Sequence, residues 1–448
     1  MRVLEMGSIA NTDQGKNNRE RLGSKDMPKL FLWSGLLVFP LLVVLSSLVF
    51  PAVMGRQSDW FGVNQISGIT LSDLSLVFLV SLILLLSCFL LLRSKLWRIA
   101  GLLLIFSVMF FFKSNTPNQD GQDLLWKIPT DVDRVGAHVV HDEMLELYVH
   151  SVFWNLANKL YDLSVASSYQ ILSVLSGTVF MLLLSRYTRE TINSGKLLFM
   201  LLVSSGGFIQ LFFGDVENYS ITAVLVIWYL LVGTRVVKRG TSSWMAALIL
   251  GLAMCFHLEA GFLLPSLAYL AQVGSLDKKQ QMLRVAKTLL IPLAMVLLCV
   301  MIFDWLGMLP LENLWLYSHA TAHGGDLASV IPPMTVPYYL EMFNLLILLF
   351  PAILMLPFVL VFKKLSKVNI FLLIATGFLM LLPLAWKAAL GVLNDWNLYA
   401  MLAIPGSILV WSLAVRDIDS DRSKYILTTV LVFSLLNTFS WVLKNHAG

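Results

Sequence analysis

Charge is scarce in this sequence. Asp, Glu, Lys and Arg together supply 13% of its 448 residues, about half the share carried by a soluble domain. Cysteine is scarcer: there are three. Cys88 and Cys255 lie inside apolar runs, so neither a disulfide scaffold nor a thiolate zinc site follows. The chain has no internal repeat, heptad pattern, glycine-rich phosphate loop or paired CxxC, and none of the architectures those patterns mark is expected. It also lacks a stretch that reads as a soluble catalytic domain, so any chemistry must use short loops and helix ends.

What is present is apolar. Hydrophobic residues make up 58% and the mean hydropathy is +0.78. A compact soluble protein of this make-up would expose large apolar patches, which points to a polytopic membrane protein. A helix needs roughly 20 apolar residues to cross the hydrocarbon core. Such runs occupy residues 30–52, 74–92, 96–112, 168–185, 196–213, 218–236, 285–303, 339–361, 369–386, 397–415 and 424–443. The stretch 244–273 is too long for one span and is interrupted by His257, Glu259, Gly261 and Pro265. It reads as two short helices, 244–257 and 260–273, meeting near the far membrane face. The expected fold is therefore all-α, with about 13 crossings (range about 11–13) in one domain over 30–443. A polar leader occupies residues 1–29 and a short tail residues 444–448. The leader has no cleavage-site pattern and reads as a disordered cytoplasmic segment.

The net charge of +5 and sequence pI of about 9.0 do not call for nucleic acid, because the basic residues lie between apolar runs. With the N-terminus in the cytoplasm, this layout puts most of the 32 Lys and Arg inside, as the positive-inside rule requires. Treating 244–273 as a single crossing would invert everything after it. The same layout puts all seven histidines outside, although imidazole is mostly neutral at pH 7 and needs no such sorting. Any chemistry is expected at the extracytoplasmic face, where the outer segments 51–73, 113–167 and 304–338 lie.

Four acid-bearing sites fall on that face. In HVVHDEMLELYVHSVFW (138–154), His141, Asp142 and Glu143 precede an amphipathic helix suited to the outer interface. Asp142 there is either a helix cap or a carboxylate placed to take a proton from an acceptor hydroxyl. In FFGDVENYS (212–220), Gly214 permits a tight turn, Asp215 suits a helix cap, Glu217 and Asn218 fall in the first turn, and Tyr219 reads as an interfacial anchor. In CFHLEAGFLLP (255–265), His257 and Glu259 stand at a helix break among apolar residues, where polar groups are costly unless paired or lining a wet cavity. In LNDWNLYA (393–400), Asp395 reads as an N-cap and Trp396 as an interface anchor, with Lys387 nearby as a cation suited to a phosphate. His319 and His323 are spaced i, i+4 in HATAH. That run lacks the glutamate of a zincin motif, so metal ligation would need carboxylates from elsewhere and a divalent cation stays open.

This pattern resembles the GT-C superfamily of integral membrane glycosyltransferases, and more narrowly its bacterial mannosyltransferase-like and lipid A sugar-transferase-like members. The resemblance spans roughly Leu30 to Leu443. It implies a multi-helix bundle in a bacterial inner membrane, with amphipathic juxtamembrane helices in an outer loop and a polyprenyl-phosphate sugar as donor. The acceptor would be an extracytoplasmic lipid or glycan. HDE at 141–143 resembles the family's acidic motif, which implies Asp142 as catalytic base with Glu143 as its alternative. GDVENY (214–219) implies a site role for Glu217, and HLEAGFLLP a binding role for His257 and Glu259. Lys387, His257 or Arg134 would stabilise the departing phosphate. In the family the acidic motif follows the first span, whereas here HDE follows the third. Either two helices precede the core or Asp59 in the first outer loop holds the catalytic position; segment 51–73 is shorter and lacks a following amphipathic helix, which favours Asp142.

Two other functions use the same materials. A transporter for an anionic or lipid-linked solute would place polar residues near mid-membrane in two similar halves, and no such halves are visible. A polysaccharide ligase or polymerase would share the lipid-linked substrates.

Overall fold

The computed structural model describes residues 70–115, 117, 121–122, 124–125, 142–274, 277–308, 335–362, 365–385, 391–392, 394–416 and 421–447. Among them there is no strand. The first two helices, α1 (Leu71–Leu91) and α2 (Lys95–Phe111), form a hairpin. The start of α1 is fixed by a capping box: Thr70 Oγ1 accepts from the Asp73 amide at 3.2 Å, and Asp73 accepts from the Thr70 amide at 3.0 Å. Helix α3 (Met144–Tyr161) ends at Asp162, which takes the left-handed conformation at φ 54°. Helix α4 (Val165–Thr191) is capped by Ser164, and the short α5 (Lys196–Ser204) leads into a 3₁₀ turn, Gly207–Phe212. Next come α6 (Ser220–Arg239), α7 (Trp244–Phe256), a 3₁₀ turn over Leu258–Leu263, α8 (Leu264–Gln272) and α9 (Lys278–Trp305). The chain continues through α10 (Val336–Leu349), a 3₁₀ turn (Pro351–Met355), α11 (Leu356–Phe362), α12 (Lys367–Leu379) and α13 (Leu381–Ala385). It closes with a 3₁₀ turn over Trp396–Tyr399, α14 (Ala400–Val415) and α15 (Asp421–Ala447).

Every apolar run expected from 74 onward is helical, and three contain a break: 196–213, 339–361 and 369–386. The run 30–52 and the leader lie outside the described residues, as do residues 309–334 of the second outer segment. Seven helical stretches are long and apolar enough to cross a membrane by length and composition: Leu71–Leu91, Val165–Thr191, Ser220–Arg239, Lys278–Trp305, Lys367–Leu384, Trp396–Val415 and Lys424–Ala447. Their burial separates centre from rim. The Trp396–Val415 window is 89% buried, whereas that of Lys278–Trp305 is only 17% buried although it is as apolar. Leu290, Leu293, Leu297 and Leu298 stand exposed on α9. A face of that kind is stable against lipid and unstable against water.

Side-chain contacts fix the direction of each helix. Tyr219 at the start of α6 lies against His257, Tyr229 meets Ser266 at 2.7 Å, and a Cβ on Gly233 would meet Leu270. Helix α8 therefore runs alongside α6 in the same sense. Gly251 of α7 sits against Pro292 and Met295 of α9, and Ser243 meets Thr288 at 3.3 Å, so α7 runs in the sense of α9. Because Tyr219 at the start of α6 meets His257 at the end of α7, those two helices run oppositely, and α7 and α8 make a hairpin whose apex is His257, as the broken pattern of 244–273 predicts. The apex shares one end of the bundle with the starts of α3, α6 and α14. At the opposite end, Glu190 holds Arg235 at 2.6 Å and Arg186 at 3.2 Å.

Close packing at the centre of α4 rests on one small residue. A Cβ on Gly177 would stand 2.4 Å from the Cβ of Phe212 and 2.7 Å from the sulfur of Met109. Gly177→Ala should therefore destabilise by about 1–3 kcal/mol, the ordinary cost of overpacking. A lowered thermal midpoint in detergent checks this; an unchanged midpoint would show that Phe212 moves aside freely.

Candidate functional site

The site begins with a histidine that stops a helix. His257 has extended backbone angles (φ −150°, ψ 122°), and its Nδ1 accepts the main-chain N–H of Glu259 at 3.2 Å. With Nδ1 occupied as an acceptor, the ring proton belongs on Nε2. That nitrogen faces Glu143 Oε1 at 3.4 Å. The apex is tied to the start of α3 a second time through the backbone, since the Leu258 N–H donates to the carbonyl of Asp142 at 2.9 Å.

The turn before α6 supplies the third side. Gly214 adopts φ +66°, a conformation glycine takes without strain, and a Cβ there would stand 2.5 Å from the Cβ of Lys113. The neighbouring Ser114 N–H donates to the Phe213 carbonyl at 2.7 Å, and Gln170 donates to Ser114 at 2.7 Å. So held, the turn directs the Asn218 amide to Glu143 Oε2 at 2.7 Å. The hydroxyl of Tyr169 donates to the other end of the same amide at 3.4 Å, which sets the amide's orientation. Both oxygens of Glu143 are thus engaged, one by Asn218 and one by His257. The Tyr219 ring lies 4.6 Å from the His257 ring.

A fourth turn arrives through Tyr399. Its hydroxyl bonds with Tyr338 and lies within electrostatic reach of Asp395 and Glu259. Glu259 is buried, and its carboxylate makes no hydrogen bond among the described residues. Asp215, Glu217 and Asp395 are buried as well, whereas Asp142 and Glu143 are only half-buried. The structure therefore gathers Asp142, Glu143, His257, Glu259 and Asp395 at one end of the bundle, with Asp215 and Glu217 on the turn that carries Asn218. Asp59, Arg134, His141 and Lys387 lie outside the described residues, as do His319 and His323. The described histidines, His150, His257 and His446, all stand at this end; His446 Nδ1 lies 2.9 Å from the Lys113 carbonyl.

Several local expectations are corrected. Helix α3 takes Glu143, not Asp142, at its N-cap position, and no side chain caps it. Helix α6 begins from Tyr219 with no side-chain cap, so Asp215 does not serve as one. Asp395 occupies the N-cap position of its 3₁₀ turn without a capping hydrogen bond. Tyr219 and Trp396 are buried packing residues and not interfacial anchors; the Trp396 ring meets Trp441 edge to face. None of these three helix starts carries the side-chain cap that the residue type suggests. Among the described residues no group of three His, Cys, Asp or Glu is placed to hold a metal ion.

Sequence reasoning also passed over a buried pair on α3. Tyr148, Val152, Leu156 and Leu160 form an exposed apolar stripe along this helix, while its buried side carries Glu146 and His150. The i, i+4 spacing of those two residues, off the apolar stripe, is the signal that marks them. His150 Nδ1 donates to the Glu146 carbonyl at 2.9 Å and lies 3.4 Å from the Glu146 carboxylate, and its ring stacks on Tyr169 at 3.9 Å. Helix α3 is not among the long apolar spans. Burial pulls His150 down to about 4, against the opposing hydrogen bond to Glu146 and the charge of Glu143. Burial, with the negative Glu143 nearby, lifts Glu146 well above 4.5. The contact is therefore a neutral one, despite its ion-pair distance.

The signs of the two groups oppose each other. An unfolded chain protonates His150 near 6.5 while the folded one resists until about 4, so stability present above 6.5 is lost as pH falls through that window. For Glu146 the unfolded chain ionises near 4.5 while the folded one keeps its proton, so stability is lost as pH rises above 4.5. Glu146→Gln should thus raise the thermal midpoint at pH 8, with the gain disappearing near pH 4. His150→Gln should flatten the acid loss between pH 6.5 and pH 4. Midpoints recorded across that range test both, and parallel profiles for wild type and variants would refute the assignment.

Against known proteins, no family model matches this chain, and no curated protein sequence matches it.

Proposed function

We propose that the protein is a membrane glycosyltransferase that moves a sugar from a polyprenyl-phosphate donor to an extracytoplasmic lipid or glycan acceptor. The observation that carries this reading is the convergence of the Asp142–Glu143, Asn218 and His257 turns at one end of an apolar bundle. In the proposed topology the run 30–52 and the helical stretches after it cross a bacterial inner membrane about 13 times. The N-terminus and the Arg- and Lys-rich end are cytoplasmic, as positive-inside sorting favours. The gathered carboxylates then face the outer leaflet, where the donor headgroup and the acceptor meet. A GT-C-like arrangement fits this layout, with α3 as the amphipathic juxtamembrane helix.

The division of labour follows from burial. Glu217, Glu259 and Asp395 are buried, and both Glu143 oxygens are engaged, so Asp142 is the half-buried acid assigned to the reaction. Asp142 takes the proton of the acceptor hydroxyl, and the acceptor oxygen bonds to the anomeric carbon. The anomeric carbon–oxygen bond to phosphate breaks, and the polyprenyl phosphate leaves with the electron pair, with inversion at the sugar. Carboxylates alone repel that phosphate. Lys387 and Arg134 are the groups assigned to it, because the Nε2–H of His257 is already directed at Glu143. Glu143, through His257 and Asn218, is a positioning residue.

A general base is worth about 10²–10⁴-fold. Asp142→Asn should lower transfer from a polyprenyl-monophosphate sugar by that factor, with the thermal midpoint retained. Purified protein in lipid nanodiscs, supplied with donor and a bacterial lipid extract as acceptor, provides the assay. Near-normal turnover by the variant would overturn the role of Asp142, and absence of transfer by the wild-type protein with any such donor would overturn the activity.

A further inference from the structure

Two of the three cysteines meet across helices. Cys255 stands in the last turn of α7 and Cys299 near the end of α9. Their thiols lie within hydrogen-bond reach of each other, buried in an apolar cluster with Met144 and Phe303. Phe303 also meets Tyr148 of α3, with ring centres 5.5 Å apart, so the pair sits beside the start of α3. Cys88 belongs to α1 and packs elsewhere, in the central core. All three are free thiols in the structure.

The way α7 and α9 lie together sets this contact. The two helices run in the same sense, with Ser243 meeting Thr288 at 3.3 Å. Further along, a Cβ on Gly251 would stand 2.9 Å from the Cα of Pro292 and 2.6 Å from the Met295 sulfur. Backbones this close leave little space between facing side chains. Cys255 lies four residues beyond Gly251 and Cys299 four beyond Met295, so each is one turn further along the same face of its helix. A disulfide requires Cα atoms about 4.4–6.8 Å apart and Cβ directions that converge. Close packing around Gly251, followed one turn later by thiols in contact, is the setting those limits describe.

We propose that Cys255 and Cys299 are a disulfide pair, joined as the protein folds by exchange with a small-molecule or protein disulfide. One thiolate attacks a sulfur of that disulfide and displaces the first thiol; the other cysteine then attacks the mixed disulfide and displaces the second. The oxidant's S–S bond breaks, the Cys255–Cys299 bond forms, and two electrons and two protons end on the two thiol products. Disulfides persist in extracytoplasmic compartments. The pair lies at the end of the bundle that the proposed topology turns outward, so its oxidation in the cell rests on that reading. Burial slows exchange at both sulfurs, which protects the bond once it is made. The bond ties α7 to α9 two residues before His257, whose ring faces Glu143, and so fixes the hairpin apex on which the candidate site is built.

Full-length protein synthesised without cells into lipid nanodiscs, in mostly oxidised glutathione, tests the pair independently of topology. After denaturation, maleimide should label one thiol per chain, at Cys88, against three once the sample is reduced. Peptide mass spectrometry should find Cys255 and Cys299 in one cross-linked species. The oxidised protein should have a higher thermal midpoint than the reduced one. Cys255→Ser should label at two thiols and show no such difference; if it does not fold, Cys299→Ala serves the same purpose. Three labelled thiols in the oxidised sample, glutathione adducts in place of the bond, or a bond that includes Cys88 would overturn the pair. Protein taken from bacterial membranes under alkylating conditions should carry the same bond. A bond present in the glutathione sample but absent from those membranes would overturn the outward placement of this end and leave the pair standing.

Discussion

The architecture at the polar end depends on one carboxylate held from two sides. Glu143 receives the Asn218 amide on one oxygen and faces the His257 imidazole with the other, and so joins three turns far apart in sequence. A carboxylate partly removed from water is tolerated when donors replace the hydration it loses. Each donor is itself constrained: Asn218 by Tyr169, and His257 by the Glu259 amide. Removing Asn218 or His257 would leave a carboxylate under-satisfied, and removing Glu143 would leave two donors aimed at nothing. This mutual dependence gives an apolar bundle a defined polar centre, since the apolar contacts around it are non-directional.

The apolar pattern made the helices legible and left their partners hidden. Long runs of Leu, Val and Phe allow few structures but helix in a membrane, and the break at His257–Glu259 announced a hairpin because a polar pair interrupts apolar sequence there. The same reasoning mistook the local jobs of individual residues. Asp142, Asp215 and Asp395 each precede a helix, the usual setting of a cap, yet none of them caps it. Tyr219 and Trp396 have the amphipathic shape of interface anchors but are packed inside. Tyr169 and Tyr399, which link the turns, carry no sequence signal that separates them from other aromatics in apolar helices. Residues that meet across the bundle are set by helix rotation and register, and a single sequence does not state those.

The two ends of the bundle are chemically opposite. One gathers carboxylates and histidines; the other carries Arg98, Arg186, Arg235, Lys238 and Lys367, with Glu190 bonded to Arg186 and Arg235. Sorting basic residues to one side needs no more than insertion rules. Collecting acids at one end of the bundle with several of them buried needs a further cause, because burying an ionisable group raises the energy of the fold. Surface acids balancing a basic face would be spread through solvent-exposed loops. Here they are drawn inward from four separate turns, with Glu259 buried and without a hydrogen bond among the described residues. A fold that retains such a costly group at a polar centre has the form expected of a site.

Within the proposed reaction, that arrangement distinguishes two adjacent acids. Glu143 has both oxygens committed, one to the Asn218 amide and one to the His257 imidazole. It is suited to hold the histidine and the amide in place. Asp142 is fixed through its main chain, whose carbonyl accepts the Leu258 N–H at 2.9 Å. A base must be positioned and still retain lone pairs for the proton it removes. Anchoring by the backbone meets the first need, since it places the residue within the cluster. In the proposed reaction, Glu143 is thus the residue assigned to hold the turns together and Asp142 the residue assigned as base.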